Sequence, residues 1–185
     1  MGEIWFTSDL HFCHNKEFLY GPRGFTNVYD MNEAIIENWN KIVQPEDVVY
    51  VLGDLALNDD ATALKCIKQL KGTLNIILGN HDTESRIDKY LFTYNVNSVK
   101  FADRIKLNGY RFFLCHYPTI TSNFDEKVLK HKTINLCGHS HTKDKYVDMD
   151  KGLIYHVELD AHENRPVSLE EIISDLKFWV KENSI

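Results

Sequence analysis

A chain of 185 residues, 43% hydrophobic and 26% charged, has the length of a single domain and enough apolar material for a sizeable core, which excludes disordered, collagen-like and disulfide-scaffold classes. Its 21 basic and 27 acidic side chains give a net charge of −6, the wrong sign for a duplex-binding module; a nucleotide substrate stays open, because metal ions can supply the positive charge that phosphate needs. Cys13, Cys66, Cys115 and Cys137 are scattered without a C-x-x-C pair and read as reduced thiols of a cytoplasmic protein. The opening Met-Gly-Glu-Ile-Trp lacks the basic and apolar regions of a signal peptide, and the longest apolar run, 48–52, is too short to span a membrane.

In chain order, 4–7 reads as a first strand and 31–43 as an amphipathic helix closed by Pro45. A β-branched run at 47–52 ends in Gly53-Asp54. A second helix fits 60–70, stopped by Gly72, and a strand at 74–78 runs into Gly79-Asn80-His81-Asp82. The same strand-then-polar-turn pattern recurs at 110–115, which meets His116, and at 133–137, which meets Gly138-His139-Ser140-His141. Extended segments are expected near 98–107, 144–149 and 153–158. The last helix is signed by a capping box of Ser168 and Glu171; Arg165 either approaches the site or, the favoured reading, braces this helix. No linker or repeat divides the chain, so one α/β domain over 1–185 with mixed sheets is expected.

The chemistry lies at the strand ends. Open α/β sheets place ligand sites where the loops leaving the C-terminal strand ends converge. Here those ends deliver Asp9 and His11, Asp54, Asn80 with His81 and Asp82, His116, and His139 with His141. Each piece alone is ordinary: Gly-Asp after a strand is usually a turn, and a lone histidine is usually structural. Their shared position is what carries weight. Oxygen and imidazole ligands without thiolate suit Mn, Fe, Ni or Zn. Two Asp, four His and one Asn exceed the needs of one tetrahedral ion, which suggests two ions sharing a bridging carboxylate.

This ordered set resembles the calcineurin-like metallophosphoesterases, from Asp9 to His141. The small single-domain bacterial and phage members are especially similar, through Asp9-Leu10-His11-Phe12-Cys13-His14-Asn15 and Asn164-Arg165-Pro166-Val167-Ser168-Leu169. Lys16 departs from the apolar residue common after that first segment. The resemblance implies two mixed β-sheets packed face to face and flanked by helices, a four-layer α/β/β/α sandwich. It implies one metal on Asp9, His11, Asp54 and His141, and a second on Asp54, Asn80, His116 and His139, with Asp54 bridging. His81 would then face the phosphate or leaving group, oriented by Asp82; the ordinary reading of Asp82 is a helix cap before Thr83.

Such a site implies hydrolysis of phosphomono- or phosphodiester bonds by a hydroxide shared between two divalent ions, Mn first among them. His14 and Asn15 are candidates for substrate contact or for bracing the turn. Arg23 has the fork to pair with phosphate, against the usual expectation of a solvent-exposed arginine. The expected partner is a small phosphate ester or nucleotide, with a nucleic-acid end also open and no membrane; the sequence leaves the oligomeric state undetermined. Two other readings compete. The metallo-β-lactamase pattern breaks after His141, where Thr142, Lys143 and Asp144 follow. A non-enzymatic partner-binding scaffold on the same fold would be free to lose these ligands, and this chain keeps them.

Overall fold

The protein is described by a computed structural model covering residues 2–121 and 126–183. The chain lays down β1 (Ile4–Thr7), α1 (Glu17–Tyr20), α2 (Val28–Ile42), β2 (Val48–Leu52), α3 (Asp60–Gln69), β3 (Thr73–Ile77), α4 (Glu84–Leu91) and β4 (Val96–Lys100). It continues through β5 (Asp103–Leu107), β6 (Tyr110–Leu114), β7 (Thr133–Cys137), α5 (Met149–Gly152), β8 (Ile154–His156), β9 (Val167–Ser168) and α6 (Leu169–Glu182). Two mixed sheets form, ordered β4-β3-β2-β1-β9 and β5-β6-β7-β8. In the first, β1 to β4 run parallel and β9 pairs antiparallel with β1; in the second, only β5–β6 is antiparallel. This is the expected pair of mixed sheets with flanking helices.

Strand alternation explains the packing. Trp5, Val49, Val51, Leu74 and Ile76 face the apolar stripe of α2 and α3, including Met31, Ile35, Trp39 and Ile67. Their neighbours Phe6, Leu52 and Ile77 point the other way, against Phe112, Leu114, Ile134, Leu136 and Tyr155 of the second sheet and Ile172 and Leu176 of α6. A sheet covered on both faces needs strands apolar at nearly every position, as β1, β2 and β3 are. α6 starts where its signature falls: Ser168 Oγ accepts the Glu171 amide at 3.1 Å, and Glu171 Oε2 accepts the Ser168 amide at 3.0 Å. Arg165 Nη2 donates to Glu171 Oε1 at 2.8 Å, the expected brace. All four cysteines are unpaired thiols. Among the described residues, no helix is long and apolar enough to cross a membrane.

Three local expectations need correction. The extended run 98–107 is two strands in different sheets, because the chain crosses from β4 to β5 at residues 101 and 102. The segment 144–149 is a turn leading into α5, where the Tyr146 amide is held by Asp144 Oδ1 and the Met149 amide by the Tyr146 carbonyl; only Asp148 bridges to Ile154. α2 begins at Val28, three residues before the first apolar marker, because Asn27 caps it by accepting the Tyr29 and Asp30 amides.

Candidate metal centre

The loop after β1 explains why Asp-Leu-His-Phe alternates. Asp9, His11 and Cys13 adopt left-handed backbone (φ 59°, 50° and 67°), while Leu10 and Phe12 between them are fully buried anchors. The amides of Asp9, His11 and Phe12 donate to the carbonyls of Gly53, Asp54 and Leu55 at 2.9–3.0 Å, zipping this loop onto the one after β2. Asp54, His139 and His141 are also left-handed (φ 55°, 74° and 50°). Non-glycine residues in this region cost energy and cluster where function requires it. The motif glycines supply room: a Cβ on Gly79 would collide with the Asp54 carboxylate, and one on Gly138 with Ser8 Oγ and Asp9 Oδ2.

All seven expected ligands converge. His11 Nε2 lies 3.2 Å from His141 Nε2, and each lies 3.6 Å from Asp9 Oδ1. His116 Nε2 lies 3.0 Å from Asn80 Oδ1 and 3.2 Å from His139 Nδ1, which is itself 2.9 Å from Asn80 Oδ1. Asp54 Oδ2 stands between the two groups, 3.6 Å from His11 Nε2 and 3.5 Å from His116 Nε2. The other oxygens of both carboxylates are already engaged: Asp54 Oδ1 accepts the His81 amide and Asp9 Oδ2 the His139 amide, each at 2.9 Å.

Hydrogen-bond bookkeeping tests whether these donors fit divalent ions. The Leu52 carbonyl can only accept, so His116 donates from Nδ1 at 2.8 Å and, when neutral, turns a bare Nε2 lone pair toward Asn80 and Asp54. His141 likewise donates from Nδ1 to Asp160 Oδ2 at 3.0 Å, leaving Nε2 to face His11 and Asp9. Asp9 Oδ1 is buried with no hydrogen-bond partner. Buried acceptors facing one another are unfavourable unless a cation lies among them. The residues therefore fit a divalent cation: Asp9, His11 and His141 form one group that could hold an ion, and Asp9, Asp54 and His116 another.

The electrostatics agree. Burial alone would raise the Asp9 carboxyl, but the His11 imidazole beside it and the charges of His116 and His141 bring it down to about 2. Burial pulls His11 below its usual value and, with His11 and His81 nearby, pushes His14 down to about 4. Neutral imidazole is the form that ligates. For His141 burial also acts downward, yet the Asp160 hydrogen bond and the Asp9 and Asp160 charges outweigh it and raise its pKa.

The remaining expected residues divide. His81 stands over the centre with its side chain 41% exposed and Nε2 4.0 Å from Asp54 Oδ2. Its backbone is pinned, since the carbonyl accepts from Arg86 Nη1 at 2.6 Å. Asp82 does not orient the His81 ring and does not cap α4, whose N-cap is Thr83. Its carboxylate instead accepts the amides of Asp54 (2.8 Å), Gly79 (2.9 Å) and Leu55 (3.3 Å) and the Tyr90 hydroxyl (2.9 Å). Asp82 is thus the tie between the loops after β2 and β3.

His14 lines the cavity and sets its Nδ1 3.3 Å from His11 Nδ1. Asn15 is exposed and is not part of the cavity wall. Arg23 is neither solvent-exposed nor turned to the cavity: its buried fork grips Asp160, Nε to Oδ1 at 3.0 Å and Nη2 to Oδ2 at 2.7 Å. The cavity of about 480 Å³ joins His11, Asp54, Asn80, His81, His139 and His141 to a wall of His14, Phe18, Leu19 and Pro22, with Lys143 and Asp160. Asp160 and Arg86 were not foreseen; both act through contacts that no local spacing marks.

Comparison with known proteins places this geometry. The model of the calcineurin-like phosphoesterase superfamily domain matches residues 3–157. An uncharacterized protein of Methanocaldococcus jannaschii is 34% identical across 94% of this chain and 90% of its own length. The Gene 66 protein of Mycobacterium phage D29 is 29% identical across 96% of this chain and 98% of its own. A solved structure of a protein of unknown function from Aquifex aeolicus superposes with a TM-score of 0.72 at 23% identity, covering 94% of this chain and 99% of that one, and so shares the fold. With a family match over most of its length, the chain belongs to the calcineurin-like phosphoesterase superfamily.

Proposed function

We propose that the protein is a dinuclear metal-dependent phosphoric ester hydrolase acting on a small phosphate ester or nucleotide, with a nucleic-acid end as a possible longer substrate. The observation that carries this reading is Asp54 Oδ2, poised at nearly equal distance from His11 Nε2 and His116 Nε2, each within its own set of inward-facing donors. Asp9, His11, Asp54 and His141 would hold one ion and Asp54, Asn80, His116 and His139 the other, with manganese the first candidate and Fe, Ni or Zn the alternatives. When bound, such a pair supplies an activated water and neutralises charge on the phosphate oxygens.

The chain's own groups do the rest. His81, free to move in the cavity on a pinned backbone, positions a phosphate oxygen or delivers a proton to the leaving oxygen. His14 orients the His11 ring from behind, and Phe18 with Pro22 offers an apolar wall for the organic part of the ester. Unpaired thiols support a cytoplasmic setting.

The test is hydrolysis of p-nitrophenyl phosphate and bis(p-nitrophenyl) phosphate by chelator-stripped protein before and after manganese loading. Turnover of at least one ester that appears only on loading is expected. A fully loaded protein inert to both, and to a wider panel of nucleotides, would point instead to a partner-binding scaffold.

A further inference from the structure

Arg23 and Asp160 form a buried ion pair that the proposed chemistry does not use directly, yet it touches the metal centre from two sides. Arg23 has a fully buried guanidinium side chain, and its Nη2 donates both to Asp160 Oδ2 at 2.7 Å and to the Asp9 carbonyl at 2.8 Å. That carbonyl belongs to a residue held in left-handed backbone, φ 59°. Asp160, from the 3-10 turn Leu159–Ala161, accepts the Nδ1 proton of His141 at 3.0 Å with the same Oδ2 that takes Arg23. One pair therefore ties together four segments: the loop after β1, the loop before α2, the loop after β7 and the turn after β8.

We infer that the Arg23–Asp160 pair is a positioning clamp for the ion held by Asp9 and His141, fixing the His141 tautomer and the Asp9 backbone while leaving the other ion's ligands to different supports. The inference rests on the two-metal reading of the centre. Its physical basis is the division of labour between the ions. His116, on the far side, takes its orientation from the Leu52 carbonyl and needs nothing from Asp160. His141 has no such backbone acceptor: its Nδ1 proton goes to Asp160. A histidine with one nitrogen hydrogen-bonded to a carboxylate is locked with the other lone pair outward, and loss of such a partner typically weakens metal affinity 10- to 100-fold. Arg23 is needed because its fork grips both Asp160 oxygens, and without it the carboxylate would be free to turn away from His141.

The experiment is a manganese titration by calorimetry of the full chain and of Asp160→Ala. A double variant, Asp160→Ala with Arg23→Met, removes both buried charges, so that an uncompensated arginine cannot unfold it. Histidine side-chain 15N–1H correlation spectra of the metal-free proteins are recorded beside the titration. The double variant should bind one ion roughly 10- to 100-fold more weakly, with the second ion's affinity changed far less, and the Nδ1–H signal of His141 should collapse into a mixture of tautomers. Asp160→Glu, which restores a carboxylate, should recover part of the lost affinity. Equal weakening of both ions, or an unchanged His141 spectrum with both affinities intact, would overturn the clamp. A wild-type chain that binds no ion would instead defeat the two-metal reading itself, and the clamp with it.

Discussion

Asp54→Asn should release both ions together and lower turnover by about 10³-fold or more, since loss of the ions removes several kcal/mol of charge stabilisation. The reason is the position of its two oxygens. Oδ1 holds the His81 amide at 2.9 Å, while Oδ2 faces both donor groups at 3.5 and 3.6 Å. Asparagine can keep the first contact through its carbonyl oxygen but then turns its NH2, which has no lone pair to offer a cation, to the second. The metal-free variant should be no less stable than the wild type in thermal unfolding. Asp54 and Asp9 are both buried at 2% exposure or less, and without cations two buried carboxylates repel each other. Asp9→Asn should loosen chiefly the ion shared with His141. Metal content by mass spectrometry and melting temperature, taken on the same preparations, check both statements. A wild-type metal content in Asp54→Asn would remove the bridge.

His81→Ala should leave both ions bound and lower kcat by roughly 10²- to 10⁴-fold, the range of a general acid. None of the donor distances within either group involves the His81 ring, whose nearest approach to them is 4.0 Å from Asp54 Oδ2. Its ring stands 5.5 Å from that of His11 and 6.2 Å from that of His14, on the cavity side. Loss should be greater for poor alkoxide leaving groups than for nitrophenolate, which departs without a proton. Equal loss across leaving groups would assign His81 to phosphate positioning. Loss of metal in this variant would make it a ligand. The contact with the Asp54 carboxylate is made by the His81 backbone amide, so alanine preserves it.

The candidate ligand set is legible in the sequence because it sits where strands end, and each strand end is marked locally. A β-branched run followed by Gly-Asp, Gly-Asn-His-Asp or Gly-His-x-His announces both a turn and a polar side chain at one sheet edge. The first sheet is legible for the same reason, since its inner strands are apolar on both faces. What stays hidden depends on contacts between remote segments. Arg23 and Asp160 are 137 residues apart, and nothing near either marks the pairing. Asp82 looks like a helix cap because it precedes Thr83, but the amides of Asp54 and Leu55, nearly thirty residues away, reach it first. The split of 98–107 between two sheets leaves no trace in periodicity, because β4 and β5 are both half-exposed edge strands with the same mixed pattern. β9, at two residues, is too short to announce itself and forms because Val167 and Ser168 dock against Phe6 and Trp5.

Electron paramagnetic resonance of the manganese-saturated protein, read beside its metal content, distinguishes two ions joined by one carboxylate from isolated ions. Two ions sharing Asp54 would lie close enough to couple, since paired metals of this kind stand about 3.5–4 Å apart. The shared carboxylate predicts two manganese ions per chain and the multiline spectrum of an exchange-coupled pair, lost in Asp54→Asn. A single bound ion, or two ions giving only the spectrum of isolated manganese, would contradict it.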